Sequence, residues 1–305
     1  MKKYLIPLLL VAFLVTAFTS CKPDEEIYDP TCKISKIWYR SDVGSPNEVF
    51  VYDSKDKQLQ QIVVDSLYSF DFSYNKDKTV SKIVHVGKDY TETVDFQWTD
   101  QLVDKMTYTI DGAVRLEYTF HRNNNKKDKA FGRIDSIQET YDRVFYDEYF
   151  WKSKRHPLYD KVFGNYEEIS EIAAKANTKD LVMYSVKYFT YDPGKKEKYE
   201  NISKYVEVFP IAQTVVTHTY QYDLNSYNPF YGLPFAYADM AGYYLNLKTA
   251  EHIETEVAGN LSKVEDIIYK YDGLHYMNDK GYPRQFVTVS SINNIPVHTY
   301  ILYKK

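Results

Sequence analysis

The chain has 305 residues, a formal net charge of −4 and 44% hydrophobic residues, with 11 Gly, 11 Pro and two Cys. So little Gly and Pro excludes a collagen-like or Pro/Gly-rich disordered chain, two Cys exclude a disulfide scaffold, and the acidic balance argues against nucleic acid as a main partner. Tyrosine contributes 32 residues; it favours half-buried sheet surfaces, so the composition points away from an all-helical protein.

At the N-terminus, Lys2 and Lys3 precede an apolar run from Tyr4 to Phe18. The run is shorter than the ~20 residues a spanning helix needs, and it fits a secretory signal peptide over residues 1–20. Phe18-Thr19-Ser20-Cys21 resembles a bacterial lipobox. That resemblance implies acylation of Cys21, loss of the peptide before it, and a membrane partner engaged through the acyl anchor. Residues 21–33 then read as a tether. Its first part, Lys22-Pro23-Asp24-Glu25-Glu26, resembles the surface-export signal of Bacteroidota lipoproteins, with Lys22, Asp24, Glu25 and Glu26 as the signal residues. The implied address is the outer membrane, lipid-anchored and facing the cell exterior. Cys32 is the other thiol, and a lone Cys of this kind is expected to be buried and inert.

From residue 34 onward one pattern recurs: an alternating aromatic strand, a polar turn, then two apolar residues three apart. Its copies run Phe50/Tyr52 to Leu59/Ile62, Phe70/Phe72/Tyr74 to Val80/Ile83, Val94/Phe96/Trp98 to Val103/Met106, and Leu116/Tyr118/Phe120 to Phe131/Ile134. Anchored on Tyr52, Tyr74, Trp98 and Phe120, the steps fall within the range of repeat architectures. Intervening residues such as Asp71, Ser73, Asp95 and Gln97 are polar, so each strand has one apolar face. The three-residue gap breaks strict alternation, and either a bulge or a residue still in the turn would account for it. Looser copies follow at Tyr188–Asp192, Thr219–Asp223 and Ile267–Asp272. The predicted fold is all-β: an antiparallel meander of repeated hairpins forming a curved sheet or open barrel, in a single domain over residues 34–305. Short helices are expected at Glu167–Ala176 and Asp239–Leu247, covering a sheet edge or barrel mouth. The aromatic-x-Tyr-Asp units, with the lipobox and Asn228-Pro229-Phe230-Tyr231-Gly232, resemble the uncharacterised YD-repeat-like lipoproteins of Bacteroidota. The resemblance implies a fold and an address, and no chemistry.

The seven His form no zinc motif, and no nucleophile elbow, P-loop or dinucleotide fingerprint occurs. No metal site, cofactor or catalytic residue is therefore assigned. The expected function is a non-enzymatic binding or interaction module for a glycan or a surface protein; the alternative is a glycan-processing hydrolase with an unrecognised carboxylate pair. Two aromatic clusters carry the binding reading. Residues 141–151 form one, with Tyr149 and Trp151 as candidate ligand contacts. A Pro-containing loop forms the other, with Tyr227, Phe230, Tyr231 and Phe235. The competing expectation is that both clusters are core, since aromatics bury large area. Charges such as Lys82 and Asp104, interrupting the apolar faces, argue against a membrane-spanning barrel.

Overall fold

A computed structural model describes residues 30–40, 44–55, 58–142, 156–163, 181–192, 201–210, 213–233, 245–271 and 276–304, with only the backbone of 181–184. The strands are β1 (Ile34–Tyr39), β2 (Glu48–Tyr52), β3 (Leu59–Val64), β4 (Tyr68–Tyr74), β5 (Val80–Val86), β6 (Thr91–Thr99), β7 (Leu102–Ile110), β8 (Ala113–Arg122) and β9 (Ile134–Asp142). After a helix, α1 (Pro157–Phe163), come β10 (Leu181–Asp192), β11 (Asn201–Phe209), β12 (Thr214–Tyr227), β13 (Asn246–Val257), β14 (Asn260–Lys270), β15 (Gln285–Ser290) and β16 (Val297–Tyr303). Each strand pairs with its sequence neighbours, and β1 pairs antiparallel with β16, from Ile34 opposite Tyr303 to Tyr39 opposite Thr299. The expected all-β antiparallel meander is present, and it closes into a sixteen-stranded barrel, a more specific form than the curved sheet or open barrel expected. Closure satisfies the edge hydrogen bonds that an open sheet would expose.

The three-residue gaps are bulges. Tyr52 pairs with Leu59 and Val51 with Gln61, leaving Gln60 as the extra residue. The same step leaves Ser81 extra between Tyr74–Val80 and Ser73–Lys82, Asp104 between Trp98–Val103 and Gln97–Lys105, and Asp135 between Arg122–Ile134 and His121–Ser136. Both apolar residues flanking each bulge thereby point inward. The theme continues in the later half, where Ser203 and Thr249 occupy the equivalent positions.

A second device repeats with the bulges. The last inward side chain of a strand donates a hydrogen bond to the carbonyl of the residue just before the previous bulge. Tyr74 Oη reaches Leu59 O at 2.6 Å, Trp98 Nε1 reaches Val80 O at 2.7 Å, and Arg122 Nη2 reaches Val103 O at 2.9 Å. Tyr191 Oη then reaches Ile134 O at 3.0 Å, and Tyr222 Oη reaches Ile202 O at 2.6 Å. The structural equivalent of Trp98 in the fourth copy is thus Arg122, not Phe120. A bulge disrupts the local ladder, and these donors reach carbonyls next to that disruption. This gives a physical reason for ending so many strands in Tyr.

The inward residues of β2 to β9, among them Phe50, Phe70, Ile83, Val94, Met106, Tyr108, Leu116 and Ile137, form one core with Leu158, Tyr159, Val162 and Phe163 of α1. Sixteen strands enclose more space than strand side chains alone fill. Here α1 occupies that space: the Phe163 ring meets those of Tyr118 and Tyr108 at centroid distances of 5.0 and 5.9 Å. Among the described residues α1 is the only helix. The helix expected at Glu167–Ala176 and most of that expected at Asp239–Leu247 lie outside the described residues; Asn246 and Leu247 themselves begin β13, which corrects the end of the second. Cys32 is buried, with Asn278 Nδ2 3.5 Å from its sulfur.

The outward residues of β4 to β9 are mostly polar, with Val84 and Val86 of β5 the apolar exceptions, and several are ion-paired. Lys82 meets Asp95 at 2.9 Å, Lys105 meets Glu117, and Arg115 meets Asp142. A lipid-facing Arg or Lys costs ~2–4 kcal/mol near the bilayer midplane, so this part of the wall is built to face water.

Candidate functional site

The chemistry-bearing groups of this barrel lie inside it. β9, β10 and β11 point Glu139, Ser185, Lys187 and Glu207 inward, at positions where alternation elsewhere places Phe, Ile or Tyr. Ser185 and Glu139 are fully buried, and Lys187 and Glu207 nearly so. Ser185 Oγ lies 2.6 Å from Glu139 Oε2 and 2.9 Å from Glu207 Oε1. Lys187 Nζ lies 3.7 Å from Glu139, 3.5 Å from Glu207 and 3.2 Å from Tyr118 Oη. A hydroxyl has one proton to donate, so contact with two carboxyls is satisfied when one carboxyl carries its own proton. Burial raises the Glu207 pKa, the Lys187 charge opposes that and the Glu139 charge adds to it. Burial works against the Lys187 ammonium, but Glu139 and Glu207 outweigh it and hold its pKa above the ordinary value. Ser185, Lys187 and the two carboxyls together form a buried ionic brace.

The polar tract continues on both sides. Toward the helix, Tyr141 Oη donates to Glu139 and meets Tyr159 Oη at 2.8 Å. The amides of Leu158 and Tyr159 donate to Glu92 at 3.3 Å, and Tyr108 Oη donates to it at 2.7 Å. Glu92 thus caps the first turn of α1 from a distant strand. Burial raises its pKa while these donors pull it down. Lys161, at the other end of α1, donates to both oxygens of Glu48 at 2.8 Å. In the other direction the His218 ring stacks on Tyr205 at 4.3 Å, and its Nδ1 lies 2.8 Å from Glu251 Oε1. Glu251 also accepts from Lys248 at 3.2 Å and Tyr269 at 2.8 Å. Burial would raise the Glu251 pKa, but Lys248 and His218 outweigh it and hold the carboxyl at about 2. Lys248 lies over the Tyr220 and Tyr269 rings at 4.9 and 5.2 Å.

This tract is a set of mutually satisfied buried ions. Glu139 and Glu207 share one hydroxyl, so they meet the proximity that glycoside hydrolysis asks of two acids. Their burial beside Ser185 keeps a sugar and its attacking water away from them. The geometry is that of a brace joining α1 and six adjacent strands, β9 to β14.

Of the sequence candidates, Tyr227, Phe230 and Tyr231 are described. Tyr227 is 45% exposed and packs on Tyr282 at 5.5 Å. Phe230 turns into the core, and Tyr231 is half-buried. Tyr149, Trp151 and Phe235 lie outside the described residues, as do Cys21, Lys22, Asp24, Glu25 and Glu26. The brace residues were missed by motif reading. Their signal was a charge at inward parity: Glu139 between Ile137 and Tyr141, and Lys187 two residues before Phe189.

No protein-family model and no curated protein matches the chain. Among solved structures, a porin-like protein from Bacteroides vulgatus shares 11% identity over 90% of this chain and 99% of that one, at a TM-score of 0.49. The TcdB2–TccC3 structure shares 9% identity over 85% of this chain and 12% of that one, at a TM-score of 0.34.

Proposed function

We propose that this chain is an outer-membrane lipoprotein, held by an acylated Cys21 and directed to the cell exterior by Lys22, Asp24, Glu25 and Glu26. Its barrel is a non-enzymatic interaction module for a surface protein or a glycan. The observation that carries the interaction reading is that the buried ionic groups of β9 to β14 are held by one another and by α1 among the described residues, while Tyr227 and apolar side chains of the outer wall stand exposed to meet a partner. Exposed Tyr227 is the aromatic that best suits contact with a sugar face or a protein. The Tyr-ended strands and bulged hairpins support kinship with YD-repeat-like lipoproteins.

Cell fractionation tests the anchor. Cys21→Ala is expected to leave the membrane fraction; retention there with an uncleaved leader contradicts it. Protease added to intact cells is expected to digest the protein, and full protection contradicts the outward address. A glycan array and a pull-down with the purified chain test the module, with loss of binding expected on Tyr227→Ala.

A further inference from the structure

The outer wall changes character where the barrel closes. On β14, β15, β16, β1 and β2 the outward positions include Ile268, Val289, Tyr300, Leu302, Trp38 and Val51. Register sets several of these side by side: Ile268 faces Val289 and Trp38 faces Tyr300, while Lys36 faces Leu302. Ile268 and Leu302 are each 49% exposed. Across β4 to β9 the same positions hold Asp71, Lys82, Asp95, Lys105, Glu117 and Arg115. Contiguous exposed apolar surface of this kind marks a contact site.

Charge says what kind of contact. Lys36 and Lys270 stand at outward positions of the seam, in a chain whose net charge is −4; Lys33 and Lys304 carry their ammonium groups over the ring of inward Tyr52 at the barrel end instead. Among the outward positions of these five strands the one acid is Asp266, and His252 Nδ1 lies 2.7 Å from it. Trp and Tyr beside aliphatic side chains, with two lysines among them, match the chemistry of a membrane–water interface. The seam also includes the first strand after the tether. Cys21 precedes Ile34 by 13 residues, which span about 45 Å at full extension.

We propose that this seam rests on an anionic bilayer surface, holding the anchored barrel on its side with the β4–β9 wall turned to water. The orientation builds on the anchoring reading. The test does not, because it uses a full-length Cys21→Ala chain that cannot be acylated.

The probe is sucrose-loaded phosphatidylcholine vesicles, with and without phosphatidylglycerol, sedimented in low and high salt. The chain is expected to sediment with the anionic vesicles and to be released by salt. Lys36→Gln and Lys270→Gln are each expected to weaken partitioning about fivefold, from the usual contribution of one lysine at an anionic surface. Leu302→Asp is expected to abolish binding, and Lys82→Gln on the opposite wall to leave it unchanged. Circular dichroism checks folding; the exposed lysine changes keep the test valid if Leu302→Asp does not fold. Absence of sedimentation with anionic vesicles overturns the proposal, as does equal weakening by Lys82→Gln. A dimer in ultracentrifugation that Leu302→Asp dissociates, without vesicle binding, overturns it in favour of a second copy on the seam.

Discussion

The two halves of the barrel wall differ in the balance of what they bury and what they show to the outside. From β4 to β9 the inside is mainly aromatic and aliphatic, with His85, Glu92 and Glu139 buried among it, and the outside is largely polar and ion-paired. From β10 to β16 the inside carries Lys187, Glu207, His218, Lys248 and Glu251, and the outside of the closing strands is apolar. The same alternating strand serves both, because alternation fixes only that the two faces differ. What each face meets is set by what the barrel encloses. Helix α1 lies against the first half and supplies its apolar complement, whereas the second half satisfies its inward polar groups with one another.

Removing one member of the ionic half should do the most damage. Lys187→Met strands a buried carboxylate and is expected to cost about 3–5 kcal/mol, read as a lower urea midpoint. Adding Glu139→Gln to it should recover a large share, since the uncompensated charge then disappears. In the apolar half, Phe163→Ala should cost a similar ~3–5 kcal/mol through lost burial and a cavity. Its cost should stay flat with pH, which separates the two mechanisms.

Acid should distinguish the halves next. The Glu251 carboxyl titrates near 2 in the folded chain, against an ordinary 4.5. A depressed folded pKa contributes stability that is whole above about 4.5 and is lost as pH falls toward 2, here about 3 kcal/mol. Thermal melts across that window should show the fall, and Glu251→Gln should flatten it. Glu207 has the opposite sign: its raised folded pKa favours the native state at low pH, and that contribution is lost as pH rises through it. The smallest effect concerns a feature both halves share. Tyr222→Phe removes one donor to the carbonyl of Ile202 and should cost about 1 kcal/mol, matched by Tyr74→Phe at the carbonyl of Leu59.

Much of the fold was legible in the repeats. The aromatic parity from Phe50 to Phe120 named the inward face, and the three-residue gaps marked where Gln60, Ser81, Asp104 and Asp135 bulge. Closure was not legible, because pairing of β1 with β16 joins residues far apart in sequence and leaves no local trace. Helix α1 was missed for a related reason: seven residues are too few to show a period, and its place is fixed by Glu92, Glu48 and Tyr141 on distant strands. The brace was half visible. Glu139 and Lys187 stood at inward parity, yet only folding brings them to Ser185 and Glu207. The expected binding aromatics were drawn from clusters, and clustering does not tell a core residue such as Phe230 from an exposed one such as Tyr227.

The central claim is a closed barrel whose inward groups on β9 to β11 are shut from water and whose β4–β9 wall faces it. Labelling of single thiols by a water-soluble maleimide, in a Cys21→Ala, Cys32→Ala background, tests it most directly. Ser73→Cys on the outer wall of β4 should react at the rate of a free thiol. Ser185→Cys inside β10 should react only as fast as the whole chain unfolds. Rapid labelling of Ser185→Cys in a chain that keeps its β-sheet circular dichroism would contradict the account.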